Sequence, residues 1–168
     1  HIAAMTKTLL SLGHGFSAQA LAALLVKDGW RVIGTTRKPE KFEKLKAAGV
    51  EPLLWPCDLK EALSEATHVL TSAGPDAEGD PILRLAGDDI AKVAPHLEWV
   101  GYLSTTGVYG DHDGGWVDEE SDLDPATERG KRRVMAEREW LGIPGMPTHV
   151  FRLAGIYGPG RGPFAKLR

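Results

Sequence analysis

Leu9-Leu10-Ser11-Leu12-Gly13-His14-Gly15-Phe16-Ser17-Ala18 is the stretch that decides how this chain folds. A short apolar run ends in Gly-x-Gly-x-x-Ala, and Phe16, Ala20, Leu21, Leu24 and Leu25 then recur at helical spacing. Strand, glycine turn and helix in that order are the context in which the pattern signals dinucleotide binding. Gly13 permits the tight turn out of the strand, and Gly15 has no Cβ to hold a pyrophosphate off the backbone. Ala18 is small enough for the helix to lie close on the strand. Phe16 and Ser17 open that helix, where free N–H groups and the positive end of the dipole attract phosphate. Taken alone, the stretch could also be a glycine turn with no ligand.

Size and composition narrow the choices. A chain of 168 residues fits one domain and can bury roughly two-thirds of its unfolded surface. A net charge of −3 offers neither a basic footprint for nucleic acid nor a polybasic membrane patch. Cys57 is the sole cysteine, which excludes an internal disulfide and points to a reducing, cytoplasmic setting. No apolar run approaches the ~20 residues of a membrane span. His1-Ile2-Ala3-Ala4 ahead of Met5 reads as a cloning scar, which leaves 6–168 as the domain. The expected partner is a small-molecule substrate, with a homodimer as the candidate assembly.

Further along, Lys27 and Gly29 read as a helix stop, and Arg31–Thr36 reads as a second strand closing a βαβ unit. NAD sites usually place Asp or Glu at the end of this strand to accept from the ribose 2′-OH. Here the residues are Thr35, Thr36, Arg37 and Lys38. No carboxylate repels a 2′-phosphate, and Arg37 can hold one through its planar fork, so NADP is favoured over NAD. The alternative is that Arg37 is a solvated loop charge. Residues 40–48 read as a helix and 50–55 as a third strand. Pro52 suits an edge position, which is where the third strand lies in a doubly wound parallel α/β sheet (Rossmann fold) of order 3-2-1-4-5-6. Asp58 is placed either at an adenine edge or as a helix cap. After a short helix at 61–66, strand four (68–72) breaks at Ser72-Ala73-Gly74, small residues where the middle of a dinucleotide would pass. Asp80-Pro81 is an N-cap and first-turn pair opening a helix with Ile82, Leu83, Leu85, Ala86, Ile90 and Val93 inward. Strand five spans 99–103 and ends in Ser104-Thr105-Thr106. Asp124-Pro125 reads as the start of a helix reaching about Leu141, with Val134, Trp140 and Leu141 inward. Strand six is 148–153.

Leu103-Ser104-Thr105-Thr106-Gly107-Val108-Tyr109-Gly110 resembles the extended short-chain dehydrogenase/reductases, the nucleotide-sugar epimerase/dehydratase group. Arg152-Leu153-Ala154-Gly155-Ile156-Tyr157-Gly158-Pro159-Gly160 is similar to that group's sixth-strand motif. Gly-His-Gly at the turn and the run 111–119 suggest an atypical branch. The resemblance implies that Thr105 hydrogen-bonds a substrate oxygen. It also implies Tyr-x-x-x-Lys on the next helix, and there this chain departs, with Arg129 in the tyrosine position and Arg133 in the lysine position. A guanidinium stays protonated and cannot trade a proton. Arg133 can still bind ribose or phosphate; alternatively both are surface charges, with Arg133 pairing to Glu137 one turn on. Tyr109 and His112 are then the candidates for acid/base. Asp111, His112, Asp113, Asp118 and Glu119 match no metal-loop spacing and read as an acidic solvated turn, so no metal is expected. In the extended family a smaller substrate lobe begins near the end of this chain, and its absence here reads as truncation.

Two functions follow. One is an NADP-binding oxidoreductase or epimerase-like enzyme that moves a hydride to and from a hydroxyl carbon, a nucleotide sugar being one such substrate. The other is a module that binds NADP(H) and senses redox state without turnover, which the arginine replacements favour. Fold-level analogy licenses cofactor binding better than it licenses a reaction.

Overall fold

All five residues of β1 (Thr8–Leu12) are buried, as expected of a strand covered on both faces by crossover helices. The computed structural model describes residues 6–167; the scar read at 1–4, the Met5 that follows it and the last residue lie outside them. After β1 come α1 (Phe16–Lys27), β2 (Arg31–Thr36), α2 (Phe42–Ala47), β3 (Val50–Leu54), α3 (Lys60–Glu65) and β4 (His68–Thr71). The second half holds α4 (Pro81–Val93), β5 (Trp99–Thr105), α5 (Glu128–Leu141) and β6 (Thr148–Leu153). The strands form one six-stranded sheet in the order β3-β2-β1-β4-β5-β6. Every neighbouring pair is parallel. This is the expected Rossmann-like α/β fold. Pro52 sits on β3, which has a partner on one side only, so its missing N–H costs the ladder nothing.

Alternation along the strands builds a core on each face. Leu9, Val32 and Leu70 point one way, toward Ala18 and Ala22 of α1 and Leu45 of α2. Leu10, Leu12, Val69 and Val100 point the other way, toward α3, Ile82 and Ile90 of α4, and Trp140 of α5. Asp80 caps α4 as its sequence suggests: Oδ1 accepts from the backbone N–H groups of Ile82 and Leu83 at 2.9 and 3.0 Å. Its other oxygen accepts from the Trp140 indole at 2.9 Å. That single buried carboxylate ties α4 to α5.

The helix boundaries need correction. Asp124-Pro125 does not begin α5; Thr127 does, its hydroxyl accepting from the Gly130 N–H at 3.0 Å. Upstream of it the Asp124 carbonyl packs on Gly110 (φ +79°), so closely that a Cβ there would lie only 1.8 Å away. The region 40–48 begins with a 3₁₀ turn at Pro39–Lys41, and the α-helix proper is shorter. Leu85 and Leu141 face solvent rather than the core. Each helix meets a single sheet, so only one narrow stripe is buried, and on α4 that stripe runs through Ile82, Ala86 and Ile90. Among the described residues no helix is long and apolar enough to cross a membrane.

Burial holds the His14 and His68 imidazoles below their ordinary pKa, an effect at His68 that Glu98 partly offsets. A depressed folded-state pKa means that the unfolded chain takes up the proton first as pH falls. The stability linked to these groups is therefore present above about pH 6.5 and is lost on acidification below it. Urea unfolding followed from about pH 7.5 down to about pH 5.5 should show a falling midpoint. His14→Gln combined with His68→Gln should flatten that slope.

Candidate functional site

The site begins at one peptide held from two strands. The Gly13 N–H donates to Thr35 Oγ1 of β2 at 2.8 Å, and Ser72, just past β4, donates its hydroxyl to the Gly13 carbonyl at 2.5 Å. Gly13 has φ +76°, and a Cβ there would lie 2.9 Å from the Ala73 nitrogen. Only glycine tolerates both demands. Gly15 has a different reason to be small. A Cβ on it would meet nothing nearer than the Gly13 carbonyl at 3.6 Å, so the space above it is open to a ligand. Gly15 is also the N-cap of α1, which has no side-chain cap and no acidic residue in its first turn. The first N–H groups of that helix thus lack a side-chain acceptor, which suits an anion.

Above this turn lies a crevice of about 400 Å³. Gly15, Phe16, Ser17, Ser72, Thr105 and Arg133 line it, all expected from sequence, together with Arg129 and Arg161. A second recess of about 50 Å³ is lined by Gly13, Thr36, Arg37 and Ala73. Gly74 lies against Arg133, whose Nη2 would be 3.2 Å from a Cβ there, and Ala18 is fully buried on the sheet-facing side of α1. Asp58 is elsewhere. It lines a depression with Arg31 and Glu61, and its carboxylate accepts from the Lys60 N–H at 2.9 Å. The N-cap of α3 itself is Leu59, one residue further on.

Arg133 is not a surface charge paired to Glu137. Its Nη1 donates to the Tyr102 hydroxyl at 3.2 Å and to the Leu103 carbonyl at 3.0 Å, while its Nε is buried without a partner. The Tyr102 phenol, pushed up to about 12 by burial with Arg133 opposing, stays protonated. Thr105 accepts from the Gly107 N–H at 3.2 Å, which leaves its O–H available to the crevice.

Neither acid/base candidate is among the residues that line the crevice. Tyr109 is buried, and its hydroxyl accepts from Arg152 at 3.1 Å. His112 meets the Tyr109 carbonyl through Nε2 at 2.9 Å. Asp111 and Asp118 are engaged in their own turns. Behind Tyr109 runs a network that sequence reading missed. Arg152 donates to both oxygens of Glu137, at 3.2 and 3.0 Å, and Ser104 donates to the same carboxylate. The Glu137 hydrogen bonds raise the Arg152 pKa further, against burial. One signal could have exposed it: Glu137 shares the i, i+3, i+4 face of Val134 and Trp140, the buried stripe of α5.

The fold and the uncapped turn define a Rossmann-like α/β domain whose crevice sits where the strand order reverses. The residues present there fit a dinucleotide, since Gly15 leaves an open cradle and Arg133 keeps an unpaired buried N–H. No family model matches the sequence. The chain is similar to Protein YeeZ of Escherichia coli (strain K12), 31% identical over 171 residues, covering 94% of this chain and 61% of that protein. Among solved structures it resembles a conserved protein of unknown function from Silicibacter pomeroyi DSS, with a TM-score of 0.90 and 56% identity over 97% of this chain and 57% of that one. It also shares its fold with UDP-glucuronic acid 4-epimerase from Bacillus cereus in complex with NAD, with a TM-score of 0.72 and 20% identity over 93% of this chain and 59% of that one. The chain thus spans about three-fifths of the length of the relatives it matches.

Glu137→Ala would leave the half-buried Arg152 guanidinium without its counter-charge, a change that costs up to about 3 kcal/mol. Urea unfolding should show this loss, and Glu137→Gln, which keeps acceptors for Ser104 and Arg152, should lose less.

Proposed function

We propose that this chain is the dinucleotide-binding portion of an NADP-dependent oxidoreductase or epimerase-like enzyme, acting at a hydroxyl-bearing carbon of a sugar nucleotide. The observation that carries the reading is the open face of Gly15 at the uncapped head of α1. The fold likeness to an NAD-bound epimerase supports a nicotinamide nucleotide. Preference for NADP rests on Arg37, exposed beside Thr36 and Gly13 with no carboxylate lining that recess. When bound, the nicotinamide supplies the hydride acceptor and donor. The residues of the chain bind and orient: α1 and Ser17 meet the phosphates, Arg133 the ribose, and Thr105 a substrate oxygen. Tyr109 serves this site as a positioning residue, through Arg152 and the Glu137 carboxylate that also receives Ser104.

One observation favours a second reading, a redox sensor that binds NADP(H) without turnover. Arg129 cannot exchange a proton, and Tyr109 is buried against Arg152 and does not line the crevice. Hydride exchange between labelled NADPH and a panel of nucleotide sugars separates the two. Label transfer supports the enzyme, and tight NADPH binding with no transfer supports the sensor.

Fluorescence titration should show tighter binding of NADPH than NADH. Arg37→Ala should remove most of a preference worth roughly tenfold or more in Kd; equal affinities in the parent protein would reject the NADP assignment. Gly15→Val fills the cradle and should abolish binding with the melting temperature little changed. Unchanged affinity in that variant would reject the turn as the phosphate site.

A further inference from the structure

The two edges of the sheet differ in how they meet solvent. β3 is guarded against a further strand: Pro52 offers no N–H, and Arg31 holds both carboxylate oxygens of Glu51, at 2.6 and 2.9 Å. β6 has no such guard. Its residues are Thr148-His149-Val150-Phe151-Arg152-Leu153, without proline, and its one charge turns inward from Arg152 to Glu137. The chain that follows crosses toward α1, where Arg161 lies 5.2 Å from the centre of the Phe16 ring. No described strand pairs with the outer side of β6, and open N–H and C=O groups along an edge are a template for another strand.

The same edge borders an aromatic face. In the register of β5 and β6, Gly101 lies beside His149 and Leu103 beside Phe151, so Trp99, Leu103, His149 and Phe151 share one side of the sheet. The helices on that side, α1 and α2, gather Leu9, Val32, Val50 and Leu70 from β1 to β4. Past β4 the cover thins: His149 is exposed, and Phe151 is 41% exposed. The Trp99 indole lies across Gly101, which has no Cβ to lift it. Its ring centre is 6.1 Å from that of His149 and 6.0 Å from that of Phe151, and through His68 the row continues to Trp30. The aromatic row thus ends at the unguarded edge, in two exposed rings.

We propose that β6 is a self-association edge, pairing antiparallel with β6 of a second copy of this chain so that the two sheets join into one. Register and charge select a second copy as the occupant. A twofold pair of antiparallel strands keeps the same face of both copies on one side of the joined sheet, so the two aromatic rows meet end to end. With the axis at Val150, His149 of each copy stands opposite Phe151 of the other, a cross-strand aromatic pair made twice. No carboxylate or lysine lies on β6, so a like strand meets no fixed repulsion there. Leu85, Met135 and Leu141 are exposed as well, but they sit on helices whose backbone groups are already paired, whereas an edge strand still lacks partners.

Sedimentation equilibrium of the purified chain should show a monomer–dimer equilibrium. Phe151→Lys puts a charge on the edge and should raise the dimer dissociation constant by roughly tenfold or more, with the circular dichroism spectrum unchanged. Leu54→Lys, on the guarded edge and comparably exposed at 42%, should leave the dimer intact. If Phe151→Lys fails to fold, His149→Lys makes the same test. A chain that stays monomeric at every concentration would overturn the proposal and leave the edge to another occupant, such as the further polypeptide that the longer relatives carry. A dimer insensitive to both β6 lysines, or one dissociated instead by Leu54→Lys, Leu85→Lys or Met135→Lys, would overturn it too.

Discussion

The architecture turns on the Gly13 peptide. Its N–H is held by β2 and its carbonyl by Ser72, and it passes so close to Ala73 that no side chain fits. Because β1 lies between β2 and β4, the contacts pull on the turn from both neighbours at the point where the sheet's winding direction reverses. The helix that follows therefore starts above the crevice, with its first N–H groups aimed into open space. Any shift of that peptide would move the head of α1 and the floor of the crevice together.

A second constraint holds the opposite wall. Glu137, buried on α5, receives Ser104 of β5 and Arg152 of β6. A charge this deep is costly unless fully paired, and here every partner comes from a different element. The network fixes α5 against the strand ends, and in doing so it sets where Arg129, Arg133 and Thr105 stand. Geometry around Gly13 prepares one side of the crevice, and electrostatics around Glu137 prepares the other.

Much of this was readable from the residue order. The sheet order followed from the glycine turn, the alternation of apolar strands with helical spacing, and Pro52 at an edge. The phosphate side of the site followed too, because its residues are adjacent in the chain and belong to one local turn. The opposite wall was harder to read. Tyr109 reads as a candidate for chemistry because its partner Arg152 lies 43 residues away, and no local pattern shows that the ring is buried against that guanidinium. Glu137 looked like one more charge on a highly charged helix, although its register with Val134 and Trp140 marks it as buried. At the start of α5 an Asp-Pro pair imitates a cap, while the hydroxyl that accepts from the first turn belongs to Thr127, three residues on.

Asp80 shows how such sharing shapes the whole half-domain. One oxygen seats the opening turn of α4 and the other anchors the indole on α5. Neither helix can peel from the sheet by itself without stranding a buried charge. The layer that backs β4, β5 and β6 is thereby welded into a single cooperative block, and partial fraying there gives way to all-or-none loss.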